Sequence, residues 1–173
     1  PPHPTGTYGS AAATEPFIGQ GPEDGLIVLD EAYNEFVTAA DSQATLPLQV
    51  RHENVCILRT FSKIYGLCGL RVGYGLCAPP VKTAVDKVRQ PFNVNSISLA
   101  AAAAGLGDHE FVRRSFELNQ AGMKRVTAGL AKLGLAYIPS AGNFVSFKVQ
   151  DAARVYKRTL GRCVLVRPLA GSG

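Results

Sequence analysis

Leu26-Ile27-Val28-Leu29 is an apolar run with no polar interruption, and it stops on an acid, Asp30. Such a run is too short for an ordinary helix and lacks the alternation of a half-exposed strand. It reads as a strand buried on both faces of a parallel sheet. The chain is therefore expected to be α/β, with residues 26–29 a central parallel strand and the Asp30 carboxylate buried at its carboxyl end. In open α/β sheets ligands gather outside those ends. A second run, Val55-Cys56-Ile57-Leu58, reads the same way and leads into Thr60-Phe61-Ser62-Lys63-Ile64-Tyr65-Gly66-Leu67-Cys68-Gly69-Leu70-Arg71-Val72-Gly73-Tyr74.

The chemistry is concentrated in that second stretch. Lys63 directly follows the hydroxyls of Thr60 and Ser62, and Arg71 lies among Gly66, Gly69, Gly73 and Gly75. A lysine with an apolar strand behind it and small residues beside it suits an amine whose pKa must fall. Schiff-base lysines need that setting, because the free amine is the nucleophile. Hydroxyls and a guanidinium fork suit a phosphate. Amine, hydroxyls and arginine together suggest pyridoxal phosphate. A buried aspartate at the end of the first strand would pair with its protonated pyridine nitrogen and keep the cofactor an electron sink.

Asp30-x-x-Tyr33, Ser62-Lys63 and Arg71 together resemble the aspartate-aminotransferase superfamily. The fuller wording, Asp-Glu-Ala-Tyr-x-Glu-Phe with Thr-Phe-Ser-Lys-x-Tyr-Gly-Leu-x-Gly-Leu-Arg-Val-Gly-Tyr, is most similar to the histidinol-phosphate aminotransferases. The resemblance implies a three-layer α/β/α, mostly parallel sheet of the aspartate-aminotransferase type, only partly present, plus part of a small α/β domain. The division expected is 1–107 for the cofactor-binding domain and 108–173 for a bridging helix and the start of the small domain. Lys63 would carry the cofactor and move protons. Asp30 would face the pyridine nitrogen and Tyr33 the phenolic oxygen, while Thr60, Ser62 and Arg71 would meet the phosphate. Arg167, in Val-Arg-Pro-Leu-Ala-Gly, matches an arginine that contacts the substrate's phosphate, and an arginine there also suits a plain solvated strand end. Asn143, in Gly142-Asn143-Phe144, is a second candidate substrate contact, although the residue type alone says only turn. The family's Asn-Pro-Thr-Gly loop has His3 in place of the asparagine here.

What the family does follows as expectation. The amino group would pass between histidinol phosphate and imidazole-acetol phosphate on one side and 2-oxoglutarate and glutamate on the other, in a cytoplasmic homodimer. Phosphothreonine decarboxylases and carbon–sulfur lyases share the lysine, aspartate and arginine, so the lysine loop does not separate those reactions. Ligand-sensing domains of aminotransferase type in transcription regulators are a non-enzymatic alternative, but they need a fused DNA-binding domain. Four apolar residues followed by Asp-Glu also describe a Walker B strand, but the 173 residues hold no Gly-x-x-x-x-Gly-Lys-Ser/Thr loop. The family runs to about twice this length, so a complete site is not expected within this chain.

Composition excludes other classes. A net charge of +5 spread along the chain is poor evidence for nucleic acid. No apolar run reaches membrane-spanning length, and the start has neither the basic head nor the apolar segment of a signal peptide. Cys56, Cys68, Cys77 and Cys163 are widely spaced, which favours reduced thiols over a metal site or disulfides.

The remaining elements follow from breakers and caps. Residues 11–25 are too rich in Gly and Pro to assign, and 34–49 read as a loop in which Pro47 opposes a long helix. A helix over 81–88 starts at Pro79-Pro80, and Asn95 or Ser96 caps the next. Asp108 opens a long helix over 109–133, with Phe111, Phe116, Val126, Leu130 and Leu133 on its apolar face. A β-α-β unit is expected after Gly134, with strands at 136–138, 144–149 and 164–166 and a helix over 151–160.

Overall fold

The computed structural model describes residues 5–22, 25–37 and 45–169. His3, and with it the question of what stands for the family's asparagine, lies outside them.

Three strands form the main sheet: β1 (Ile27–Asp30), β2 (Val55–Thr60) and β3 (Gly73–Leu76), in the order β1-β2-β3. β1 runs parallel to β2, with Asp30 beside Leu58, and β3 runs antiparallel, with Gly73 beside Thr60. Among the described residues β2 is thus the central strand and β1 an edge, which corrects the expectation for residues 26–29. Val28 and Leu58 remain exposed on one face of the sheet.

The opposite face is the core. Val55 and Ile57, with Ile27, Leu29 and Leu76, pack against Ala11 and Ile18 of α1 (Ala11–Gln20) and Leu46 and Leu48 of α2 (Thr45–Arg51). Both helices fall where the sequence discouraged them. α1 carries Pro16 in its interior, yet the Ser10 side chain caps its start by accepting from Ala13 N–H at 3.1 Å. Ala11 and Ile18, two turns apart on one side, are buried against the sheet, and such packing outweighs propensity. In α2, Pro47 sits in the first turn, where no intrahelical donor is missed. The loop expected at 34–49 therefore holds a helix.

A second apolar cluster, Phe61, Val72 and Ala102 with Tyr65, Leu67, Leu70, Tyr74 and Val94, joins the lysine loop to the helix that carries Ala102. α3 (Pro79–Val88) begins on its two prolines. Asn95 caps α4 (Ser96–Gly107), accepting from Ser98 N–H at 2.8 Å. Ser98 is fully buried, and its hydroxyl donates to the Leu70 carbonyl at 2.8 Å. That bond seats α4 against the turn just before Arg71.

Asp108 caps α5 (His109–Lys132) as expected, accepting from Phe111 N–H. The inward face differs from the apolar stripe, however. Phe111, Val126 and Leu133 are exposed, while Val112, Phe116, Asn119, Met123, Thr127 and Leu130 turn inward. Polar residues take part because they have partners: Asn119 donates to the Gly142 carbonyl at 3.2 Å, and Thr127 to the Met123 carbonyl.

The last segment is not β-α-β. β4 (Tyr137–Ile138) and β5 (Ser146–Phe147) pair antiparallel, and α6 (Ala152–Leu160) follows. Residues 164–166 form no strand. A strand needs a neighbour to ladder with, and here Val164 N–H turns back to the Thr159 carbonyl closing α6.

Candidate active site

The topology brings the carboxyl ends of β1 and β2 to one edge of the sheet, where Glu31 N–H still donates to the Leu58 carbonyl at 2.9 Å. β3 enters at the same edge, because Phe61 N–H donates to the Val72 carbonyl. Asp30, Tyr33, Thr60, Ser62, Lys63 and Arg71 therefore converge there. Side chains alternate along a strand. Asp30 and Thr60 thus point to the face opposite the core, beside Gly73 and Gly75 of β3. Leu58, Thr60, Ser62, Arg71, Gly73 and Gly75 line an open groove on this side.

Asp30 is exposed, not buried as the sequence suggested. The cause is the position of β1 at the edge with its outer face uncovered. One carboxylate oxygen accepts from Ala32 N–H at 3.0 Å, which holds the side chain at the strand end. Lys63 is half-buried, and its Nζ lies 4.8 Å from the centre of the Tyr33 ring. An ammonium in that position is attracted by the ring face. The loop around it is tied by Leu67 N–H to the Phe61 carbonyl and Gly66 N–H to the Lys63 carbonyl, each at 3.0 Å.

Thr60 Oγ1 accepts from Ser62 N–H at 3.0 Å. Arg71 donates to Ser62 Oγ at 3.2 Å and to the Cys68 carbonyl at 2.7 Å. Arg71 is exposed, and its backbone is left-handed, with φ of 52°. A non-glycine residue held there is strained by roughly 1–3 kcal/mol, and such strain gathers at functional sites. The geometry joins two hydroxyls and a guanidinium into one cradle beside the amine.

Of the substrate candidates, Asn143 is exposed on the loop after β4. That loop nevertheless reaches the site: the Phe144 ring meets the Tyr33 ring edge-on at 5.1 Å. Gly6, at φ of 74°, lies against it, with Ala141 N–H donating to the Gly6 carbonyl at 2.9 Å. Arg167 is exposed in an irregular segment and does not end a strand, so nothing in the described residues joins it to the cradle.

Three features escaped the sequence reading. Phe144, expected to open a strand, lies in the loop before β5, and an aromatic there does not announce its partner. The left-handed Arg71 has no compositional sign. The third is a buried polar cluster under the site. Arg59 and Glu31 pair at 2.8 Å, and both lie on the core face, one step from Thr60 and Asp30. Burial would lower the Arg59 pKa, but its bonds to Glu31 and Tyr74 outweigh this and raise it. Burial pushes the Glu35 carboxyl up, against the pull of its own backbone hydrogen bond and of Arg59. The Tyr65 phenol is raised by burial and further by Glu35.

The family model for aminotransferase class I and II matches residues 1–169. The chain belongs to the class I and II aminotransferases. Among curated members of this class, the histidinol-phosphate aminotransferase of Methylobacillus flagellatus is 53% identical over 170 residues, covering 98% of this chain and 46% of that protein. The crystal structure of histidinol-phosphate aminotransferase from Sinorhizobium meliloti in complex with pyridoxal-5'-phosphate superposes with a TM-score of 0.89 at 33% identity. It covers 98% of this chain and 48% of that one. A Thermus thermophilus aspartate aminotransferase variant, at 24% identity and a TM-score of 0.78, covers 97% and 49% and shows the fold alone: the three-layer aspartate-aminotransferase type. This aminotransferase chain spans about half the length of the curated relatives it matches. No helix among its described residues is long and apolar enough to cross a membrane.

Proposed function

We propose that this chain is the lysine-bearing part of a pyridoxal-phosphate-dependent aminotransferase that exchanges an amino group between histidinol phosphate and 2-oxoglutarate. The observation that carries the reading is the placing of the Lys63 amine over the Tyr33 ring, at the edge where Asp30, Thr60, Ser62 and Arg71 meet. The donor set fits the cofactor: an amine for its aldehyde, a carboxylate for its pyridine nitrogen, hydroxyls and a guanidinium for its phosphate. Bound there, pyridoxal phosphate supplies an electron sink for the bond that breaks at the substrate's Cα.

The residues do the rest. Asp30 keeps the pyridine nitrogen protonated, with its other oxygen fixed by Ala32. Tyr33 sets the side from which Lys63 approaches and donates to the phenolic oxygen. With the cofactor bound, Lys63 Nζ would be the base that takes the proton from the substrate's Cα and the acid that gives it back. Arg71, fixed by Cys68 and Ser62, holds the phosphate most strongly of the three cradle groups because its contact is charge-assisted.

The likeness to histidinol-phosphate aminotransferases supports this substrate, and the planar fork of Arg167 would suit its phosphate dianion. Asn143 contributes from the loop that Phe144 anchors. The division is the C-terminal part of the large, cofactor-binding domain over 1–107, and a bridging helix with the start of the small domain over 108–173. The working assembly is a cytoplasmic homodimer. Incubating the full polypeptide with histidinol phosphate and 2-oxoglutarate should yield glutamate. Carbon dioxide released from phosphothreonine, with no glutamate formed from histidinol phosphate, would replace this reading with decarboxylation.

A further inference from the structure

Along the core face of β2, Ile57 belongs to the first apolar cluster and Phe61 to the second. Arg59 stands between them, its side chain only 12% exposed, and Glu31 meets it, at 10%, from the residue after β1. Arg59 Nε donates to Glu31 Oε2 at 2.9 Å, and a terminal guanidinium nitrogen lies 2.8 Å from the same oxygen. Tyr74 is the residue opposite Arg59 on β3. The Glu31–Arg59 pair thus ties the end of β1 to β2 at one level, and that level is the floor of the site. Glu31 directly follows Asp30, and Arg59 directly precedes Thr60.

Apolar side chains would have continued the face from Ile57 to Phe61 without a break. Taking two charges from water is costly, and well-packed apolar residues of the same volume often match or exceed a buried pair in stability. What they lack is direction. A directional Nε–H bond to one carboxylate oxygen, with a second guanidinium nitrogen in ion-pair contact, sets where each strand end sits, whereas methyl contacts are non-directional. We propose that the Glu31–Arg59 pair is a positioning device, which sets the carboxyl ends of β1 and β2 so that Asp30 and the Thr60-to-Lys63 loop address one bound cofactor. The inference rests on the reading above, in which that cofactor is pyridoxal phosphate.

The test replaces both partners at once in the full polypeptide, Glu31→Leu with Arg59→Met. The thermal midpoint is measured without cofactor, and pyridoxal phosphate is titrated by its visible absorption band. The expected result is a midpoint within a few degrees of the unaltered protein, with affinity lower by about tenfold or more and a band displaced toward that of the free cofactor. Arg59→Lys, which keeps the charge but not the fork, should fall between. Unchanged affinity and spectrum in the double variant would overturn the proposal. So would a midpoint that falls together with affinity, since the pair would then serve stability alone. If the double variant does not fold, Arg59→Lys decides: weaker binding at an unchanged midpoint supports positioning, and wild-type binding refutes it. Failure of the unaltered protein to bind pyridoxal phosphate would end the functional reading as well, a result that no variant can mimic.

Discussion

At Asp30 the charge matters more than the shape. The side chain is exposed at the end of β1 and oriented by Ala32 N–H, so an amide would sit in the same place. Asp30→Asn should leave the thermal midpoint unchanged and lower kcat by about two to three decades, because a neutral group cannot stabilise a pyridinium. Transamination at the unaltered rate would remove Asp30 from the mechanism. Arg167→Ala tests substrate choice. Loss of one charge-assisted contact costs roughly 1.5–3 kcal/mol, or about one to two decades in kcat/KM. That loss should fall on histidinol phosphate and spare an unphosphorylated amino acid, while equal losses would mean that Arg167 does not read the phosphate. Glu35 gives a pH signature. Its folded pKa is raised, chiefly by burial, so the folded state holds a proton that the unfolded chain releases near 4.5. Stability from this group is present below that value and lost as pH rises through the folded pKa. Glu35→Gln should therefore raise the thermal midpoint at pH 7 relative to the parent, with the gain shrinking toward pH 4. A gain of the same size at both pH values would contradict the assignment.

Elements were legible in proportion to how local their causes are. The two apolar runs gave β1 and β2, and the Asp108 and Asn95 caps gave the starts of α5 and α4, because each signal sits within the element it makes. α1 and α2 were missed because packing against the sheet overrides Pro16 and the first turn tolerates Pro47. The residues proposed to hold the cofactor come from motif and spacing, and the structure brings them to one sheet edge. Their support was not readable that way, since Phe144 on Tyr33 and Glu31 on Arg59 are contacts across distant parts of the chain. Gly6 shows the same limit. A Cβ there would run into the Ser140 side chain, on a backbone at φ of 74° that side chains disfavour. Gly6→Ala should cost roughly 1–3 kcal/mol in stability, read by denaturant unfolding. It should also loosen the loop that brings Phe144 to Tyr33. A fully neutral substitution would show that this loop is not held as described.

For the whole molecule, the decisive fact is how separate segments meet at one sheet edge. β1 delivers a carboxylate and an aromatic ring, β2 the hydroxyls and the amine, the entry to β3 a guanidinium, and the loop before β5 a second ring. Sequence order alone does not bring them together; the parallel β1–β2 pairing does, by placing both carboxyl ends side by side. Val85, Val88, Phe92, Ile97, Leu99 and Leu106 on and around α3 and α4 are exposed. The central claim is that Lys63 is the residue which holds the cofactor. It is tested most directly by reducing the full polypeptide with borohydride in the presence of pyridoxal phosphate and mapping the labelled peptide. A single phosphopyridoxyl group on Lys63, absent from Lys63→Ala, is the predicted result. A label on another lysine, or none at all, would contradict the account.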